Sequence, residues 1–260
     1  MVRIDFRFAR SIRAASSRGL DSLPSISSRK NGRRKKRLPA GRGAPAGARA
    51  FCGGTTYFLT MPRIKNIIIA TGNTGKVREI QEIFAAFPIR FSSLKDHWRP
   101  TPSIPETGAT FEENARIKAQ WVYSRKGMWT LADDSGLEVD ALGGEPGVFS
   151  ARYAGEGAGD AANNRKLLDK LASVARNGRK ARFRCVVALV GPGGEYLAEG
   201  ICEGRIGFEL KGDGGFGYDP LFIPDGFDRT FAELDAARKH AISHRGRALQ
   251  SLIGKIREFI

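Results

Sequence analysis

Apolar and polar positions alternate along this chain in ways that mark separate elements from Asn66 onward. Asn66 to Ala70 is a short, β-rich apolar run that predicts a buried strand. It breaks at Thr71-Gly72-Asn73-Thr74-Gly75-Lys76, after which Val77, Ile80, Ile83, Phe84 and Phe87 recur at helical spacing until Pro88. Strand, glycine turn and helix in that order predict an α/β fold with a ligand at the C-terminal end of the strand. Arg99 to Gly108 holds three prolines and reads as a loop. Thr110-Phe111-Glu112-Glu113 has the form of a capping box, opening a helix that Gly127 closes.

Further on, Trp129 to Ala132 predicts a second core strand that ends at Asp133-Asp134-Ser135-Gly136. A glycine-rich loop to Gly159 precedes a helix expected over Lys166 to Ala175. Arg182 to Val190 and Glu195 to Cys202 flank Gly191-Pro192-Gly193-Gly194 and predict an antiparallel hairpin. A glycine cluster, Gly212 to Gly217, leads to a short strand at Leu221 to Ile223, and Ala248 to Phe259 is a final amphipathic helix.

Composition changes this picture in one respect. The net charge of +16 would suggest a nucleic-acid partner if it were spread evenly. Residues 1–60 carry 14 Lys/Arg against 2 Asp/Glu, whereas the remaining 200 carry 29 against 25, so three-quarters of the charge belongs to the first sixty residues. That stretch, with Arg33-Arg34-Lys35-Lys36-Arg37 and no helical periodicity, is expected to be a disordered extension to a domain over 61–260. It reads as an organelle transit peptide, as a basic nucleic-acid or address segment, or as sequence upstream of a true start at Met61. The longest apolar runs, Asn66 to Ala70 and Cys185 to Val190, are too short to cross a bilayer. Cys52, Cys185 and Cys202 lack metal-ligand spacing and point to a reducing, cytoplasmic setting.

Four clusters carry candidate chemistry. In Thr71-Gly72-Asn73-Thr74-Gly75-Lys76, two glycines, free helix N–H groups and a lysine suit a phosphate, though a plain strand-to-helix turn uses the same residues. Asp133-Asp134-Ser135-Gly136 offers adjacent carboxylates for a hard cation such as Mg²⁺ and a base for water, or else a polar turn. Glu106 adds a third carboxylate, and by itself would be a surface residue. Gly214-Gly215-Phe216-Gly217-Tyr218-Asp219-Pro220 sets an aromatic among glycines where a base can stack and Asp219 can read its edge; a flexible hairpin is the alternative. Lys239-His240-Ala241-Ile242-Ser243-His244-Arg245 gathers four potential cations near a helix start, or forms a solvated helix face.

Those blocks, together with Glu106-Thr107-Gly108, Phe111 to Ala115 with Lys118, Pro146-Gly147-Val148 and Ser150-Ala151-Arg152-Tyr153, resemble the inosine triphosphate pyrophosphatase (Ham/Rdg-type) family over residues 64 to 257. The resemblance implies an elongated α/β fold with a long central mixed sheet and a cleft between two lobes, assembled as a homodimer. It implies hydrolysis of inosine, deoxyinosine and xanthosine triphosphates to monophosphate and pyrophosphate with Mg²⁺. Asp134 would be the proton acceptor and, with Glu106, a metal ligand. Thr71 to Lys76, Lys118, Ser135, Phe216, Gly217, Tyr218, Asp219, Lys239, His244 and Arg245 would bind substrate. A Maf-like nucleotide pyrophosphatase and a nucleic-acid binder acting through the basic extension are the competing readings.

Overall fold

The computed structural model describes residues 63–260; the basic extension lies outside them. Six strands form one mixed sheet in the order β2-β1-β3-β4-β5-β6. β1 (Asn66–Ile69) pairs in parallel with both β2 (Arg90–Ser93) and β3 (Thr130–Val139). β3 then pairs antiparallel with β4 (Lys180–Gly191), β4 with β5 (Gly194–Ile206), and β5 with β6 (Phe222–Pro224). The expected α/β class and mixed sheet are therefore present.

Successive side chains of a strand point to opposite faces, and here both faces are covered. Ile67, Ile69 and Leu131 meet Ile80 of α1 (Thr74–Ile83), its C-cap Phe84, and Leu249 and Leu252 of α6 (His244–Ile256). Ile68, Ala70 and Ala132 instead meet Ala115, Ala119 and Val122 of α3 (Phe111–Lys126). This explains why β1 is apolar throughout rather than alternating. A third core, around Leu137, Phe183, Phe222 and Phe231, packs under Leu167 of α4 (Gly159–Lys170). α2 (Leu94–His97) and α5 (Ala236–Ile242) complete the helices.

Several expected boundaries move. β3 does not stop at Ala132; it continues through Asp133 to Gly136, whose ladder partners are Val187, Val186, Cys185 and Arg184. Carboxylates are tolerated inside a buried strand because each is met by cations, described below. α4 begins at Gly159 and ends at Lys170, not at Ala175, because the Arg179 guanidinium donates to the carbonyls of Leu171 (2.7 Å) and Val174 (3.0 Å) just beyond the helix. α6 opens at His244, where the Ser243 hydroxyl accepts from Gly246 N at 3.1 Å. The final helix thus starts inside the cationic cluster rather than after it.

The helix opened at Thr110 follows expectation, with one change. Thr110 Oγ1 accepts from Glu113 N at 3.1 Å, but Glu113 reaches back to Ala109 N at 2.7 Å rather than to Thr110 N. Gly127 closes the helix at φ 64°, a left-handed position that suits glycine. The hairpin forms about Pro192-Gly193, with Gly191 and Gly194 paired across it.

Candidate active site

The site is built where β3 passes between α1 and α3. Because its side chains alternate, Asp133 and Asp134 leave the strand on opposite faces. Asp133 is fully buried on the α1 and α6 side. Its Oδ2 accepts from Lys76 Nζ at 3.1 Å and from Arg245 Nη2 at 3.0 Å and Nε at 3.2 Å. Asp134, 6% exposed on the α3 side, accepts from Lys118 Nζ at 2.8 Å and Asn114 Nδ2 at 3.3 Å. The two neighbouring carboxylates expected to act together therefore do separate work.

The loop between α2 and α3 delivers Glu106, and Lys118 Nζ joins it to Asp134, at 2.7 Å from Glu106 and 2.8 Å from Asp134. Lys118 can stand on a buried face of α3 because both carboxylates meet it there. Asn114, one turn earlier, accepts from Gly108 N at 2.8 Å and so ties that loop to the Asp134 side chain.

Proton affinities separate the carboxylates further. Burial pushes Asp133 upward, but Lys76, Arg245 and Lys118 outweigh it and hold Asp133 far below the usual carboxylate range. Burial likewise raises Glu106, yet Lys118, Lys76 and Arg152 bring it below its ordinary value. For Asp134, burial prevails over Lys118 and Lys76, and its pKa is raised. Of these three, Asp134 is the one tuned toward accepting a proton.

The phosphate-turn residues open α1. Asn73 Oδ1 accepts from Lys76 N at 3.0 Å, and Thr71 Oγ1 accepts from Asn73 N at 3.2 Å. Gly72, Asn73 and Thr74 are exposed. Gly75 has a reason to be glycine: a Cβ there would lie 2.6 Å from the Phe216 ring. The expected phosphate turn and the expected base platform are thus in contact. Phe216 also lies 5.1 Å from Lys239 Nζ and 5.5 Å from the Arg245 guanidinium.

Behind the platform lies a buried charge lattice. Lys239 donates to Glu79 and to Asp219, both at 2.6 Å, and Arg245 pairs with Glu79 and donates to Ser135 Oγ at 2.8 Å. Burial raises Glu79, but Arg245 and Lys239 prevail and lower it.

Three expected roles change. Asp219 is 3% exposed and accepts from Phe216 N at 2.8 Å and from Lys239, so it shapes the platform from below instead of presenting an edge to a base. Tyr218 is also internal, its hydroxyl donating to Ser150 O at 2.9 Å, while Gly217 is held to α4 by Asp160 and Asn164. His244 stacks on Phe183 at 4.5 Å, and burial, reinforced by Arg245 and Lys239, lowers its pKa well below the ordinary value. It is a neutral imidazole, not one of four cations, and His240 is instead engaged with Glu82 at 2.7 Å.

Two residues gained no role from sequence. Asn114 was legible only as part of a motif block. Glu79 carried a signal, a carboxylate next to Ile80 on the apolar stripe of α1, but its partners lie 160 and 166 positions away.

The donor set also bears on a metal. Among the described residues, no group of three or more His, Cys, Asp or Glu side chains forms a ligand set. Glu106 and Asp134 nonetheless converge on one cationic group, the Lys118 ammonium. That fits a hard divalent ion taking two protein carboxylates and drawing its other ligands from phosphate and water.

Fold and site define a class: a mixed-sheet α/β protein in which a phosphate-type turn, an aromatic platform and paired carboxylates converge about one strand. The chain belongs to the Ham1 family, whose model matches residues 67–255. It is 52% identical over 190 residues to a dITP/XTP pyrophosphatase of Oceanobacillus iheyensis, covering 73% of this chain and 96% of that protein. A dITP/XTP pyrophosphatase of Exiguobacterium sibiricum is 50% identical over 195 residues, covering 75% of this chain and 98% of that protein. The solved HAM1 protein of Coxiella burnetii is 43% identical with a TM-score of 0.67, covering 75% of this chain and all of that one. The Ham1 protein of Staphylococcus aureus is 40% identical with a TM-score of 0.66, covering 74% and 98% of the two chains.

Proposed function

We propose that this protein hydrolyses non-standard purine nucleoside triphosphates, those of inosine, deoxyinosine and xanthosine, to the monophosphate and pyrophosphate. The observation that carries the reading is the division of labour across β3. Asp133 is locked into structural ion pairs, while Asp134, with its raised pKa, faces Lys118 and Glu106. Relatives about half identical to this chain and named dITP/XTP pyrophosphatases support it.

Asp134 takes a proton from a water molecule as the water oxygen bonds to the α-phosphorus. The bond from that phosphorus to the bridging oxygen breaks, and pyrophosphate leaves with the electron pair. Asn114 orients the Asp134 carboxylate, and Lys76 and Lys118 stabilise charge developing on the phosphate oxygens. Glu106 and Asp134 would hold Mg²⁺, which when bound supplies charge neutralisation at the phosphates. Phe216 supports the base from one side. Donors of the Ser243-His244-Arg245 corner favour a purine carrying a carbonyl at position 6, since an amino group there would leave the donor unpaired.

The described residues include no helix long and apolar enough to cross a membrane. The buried free thiols Cys185 and Cys202 support a cytoplasmic setting, and the family resemblance supports a homodimer and a cleft between lobes. Residues 1–60 lie outside the family match and carry 14 Lys/Arg against 2 Asp/Glu, so any nucleic-acid contact would be confined to them. The test is pyrophosphate release from inosine and adenosine triphosphates, with and without a chelator. Release from inosine triphosphate alone, abolished by the chelator, is expected. Equal release from both nucleotides would remove the base assignment, and full activity in chelator would remove the metal.

A further inference from the structure

Arg152 belongs to a motif block for which the resemblance implied no role, and its backbone is anchored unusually well for a loop. It ends the short 3₁₀ segment Gly147–Arg152. Ser150 Oγ accepts from Leu137 N of β3 at 2.9 Å and donates to Gly147 O at 2.6 Å, while Tyr218 holds Ser150 O. Gly136 of β3 passes directly beneath, where a Cβ would come 2.3 Å from Gly147 O. On the other side, Asn163 of α4 donates to Ala151 O at 3.2 Å and accepts from Ala154 N at 2.8 Å.

From this fixed backbone the Arg152 side chain extends, 26% exposed, to the outer oxygen of Glu106 at 3.4 Å. Its other carboxylate contact, also 3.4 Å, is to Glu156, whose side chain is 87% exposed. Both distances are long for charge-assisted hydrogen bonds, and the solvent-facing one contributes little. The Phe149 ring lies 5.3 Å from the guanidinium carbon.

Charge balance gives this cation its significance. Lys76, Lys118, Lys239 and Arg245 are the four buried or nearly buried cations of the site. They face five carboxylates, Glu79, Glu106, Asp133, Asp134 and Asp219, each pairing within 3.1 Å. Glu106, whose side chain is as exposed as that of Arg152, is the fifth carboxylate, so without Arg152 the site would carry one more negative than positive charge. Arg152 is an adjacent cation without a short carboxylate contact, carried on a rigid support.

We infer that Arg152 is a phosphate-binding residue whose guanidinium turns from Glu106 to the oxygens of the departing pyrophosphate portion. It contacts the Glu106 side of the site, whereas the Phe216 platform, Lys239 and Arg245 form the opposite end of the contact chain. The assignment to a substrate rests on the proposed pyrophosphatase reading. A guanidinium fork suits two phosphate oxygens at once, which a lysine ammonium does not reproduce.

The test uses the full chain with Arg152→Gln and Arg152→Lys, and calorimetric binding of magnesium pyrophosphate and of inosine monophosphate. Arg152→Gln should weaken pyrophosphate about tenfold or more, the factor for losing a hydrogen bond to a charged group, and leave the monophosphate unchanged. Arg152→Lys should fall between. In turnover, KM for inosine triphosphate should rise by more than kcat falls.

Unchanged pyrophosphate affinity in Arg152→Gln would overturn the inference. So would equal weakening of both ligands, which would make Arg152 a support for Glu106, and so would a wild-type protein that binds no pyrophosphate. Arg152-dependent pyrophosphate binding in a protein that releases none from inosine triphosphate would refute the pyrophosphatase reading and retain the phosphate site.

Discussion

Replacing each aspartate of the β3 pair by asparagine should produce two different lesions, although the residues are adjacent. Asp134→Asn removes a proton acceptor of raised pKa while keeping the shape of the side chain. Lys118 retains Glu106 at 2.7 Å, so the buried ammonium is not left alone. The fold should therefore melt close to the wild type, while turnover falls at least roughly a hundredfold, the scale of general-base contributions. Asp133→Asn strikes the lattice instead. Among the described residues, it removes the only carboxylate paired with Lys76 and one of the two paired with Arg245, whose side chain is 2% exposed. Breaking a buried ion pair from one side costs about 3–5 kcal/mol. For a domain of this size each kcal/mol lowers Tm by roughly 2–4 °C. Two variants, one pyrophosphate-release assay and two melting curves decide the matter. An Asp134→Asn protein with near-normal turnover, or an Asp133→Asn protein that melts with the wild type, would refute the division of labour across the strand.

Acidification should silence the protein before it unfolds. Activity needs ionised Asp134, so it falls as pH drops through the pKa of this group, which burial raises above the ordinary value of 3.8 and which a bound cation would draw back down. Asp133, Glu79 and Glu106 have lowered folded pKa values, so their stabilisation is present above the unfolded values near 4 and is lost only below them. Asp134 works in the opposite sense, its small stabilising share being present at low pH and lost as pH rises through its folded pKa. Activity and melting temperature followed together down to about pH 4 should separate, and coincident loss would contradict these assignments. Removal of residues 1–60 should leave folding and turnover intact, because the family match begins at residue 67, while any affinity for DNA drops and its salt dependence flattens. An unfolded or inactive protein beginning at Met61 would place those residues in the domain.

Much of the architecture follows from local rules that act within a few residues. The Thr110 cap with its Gly127 stop and the Pro192-Gly193 hairpin rest on contacts between near neighbours, the strand at Asn66 shows itself by its own apolar run, and each stands where the sequence put it. Motif spacing likewise marks the phosphate turn, the Phe216 platform and the Ser243-His244-Arg245 corner in the sequence. What failed locally failed for a nonlocal reason. The apolar run predicts a strand ending at Ala132, yet β3 continues through two aspartates because Lys76, Arg245 and Lys118 arrive from three separate helices to compensate them. His244 counted as a cation until packing on Phe183 removed it from water. Residue types and order, set by the sequence alone, determined which chemistry was available. The tertiary structure decided which carboxylate keeps its charge for the fold and which keeps its proton affinity for reaction, because burial and opposing charge come from other elements, Lys118 16 positions from Asp134 and Arg245 112 positions from Asp133.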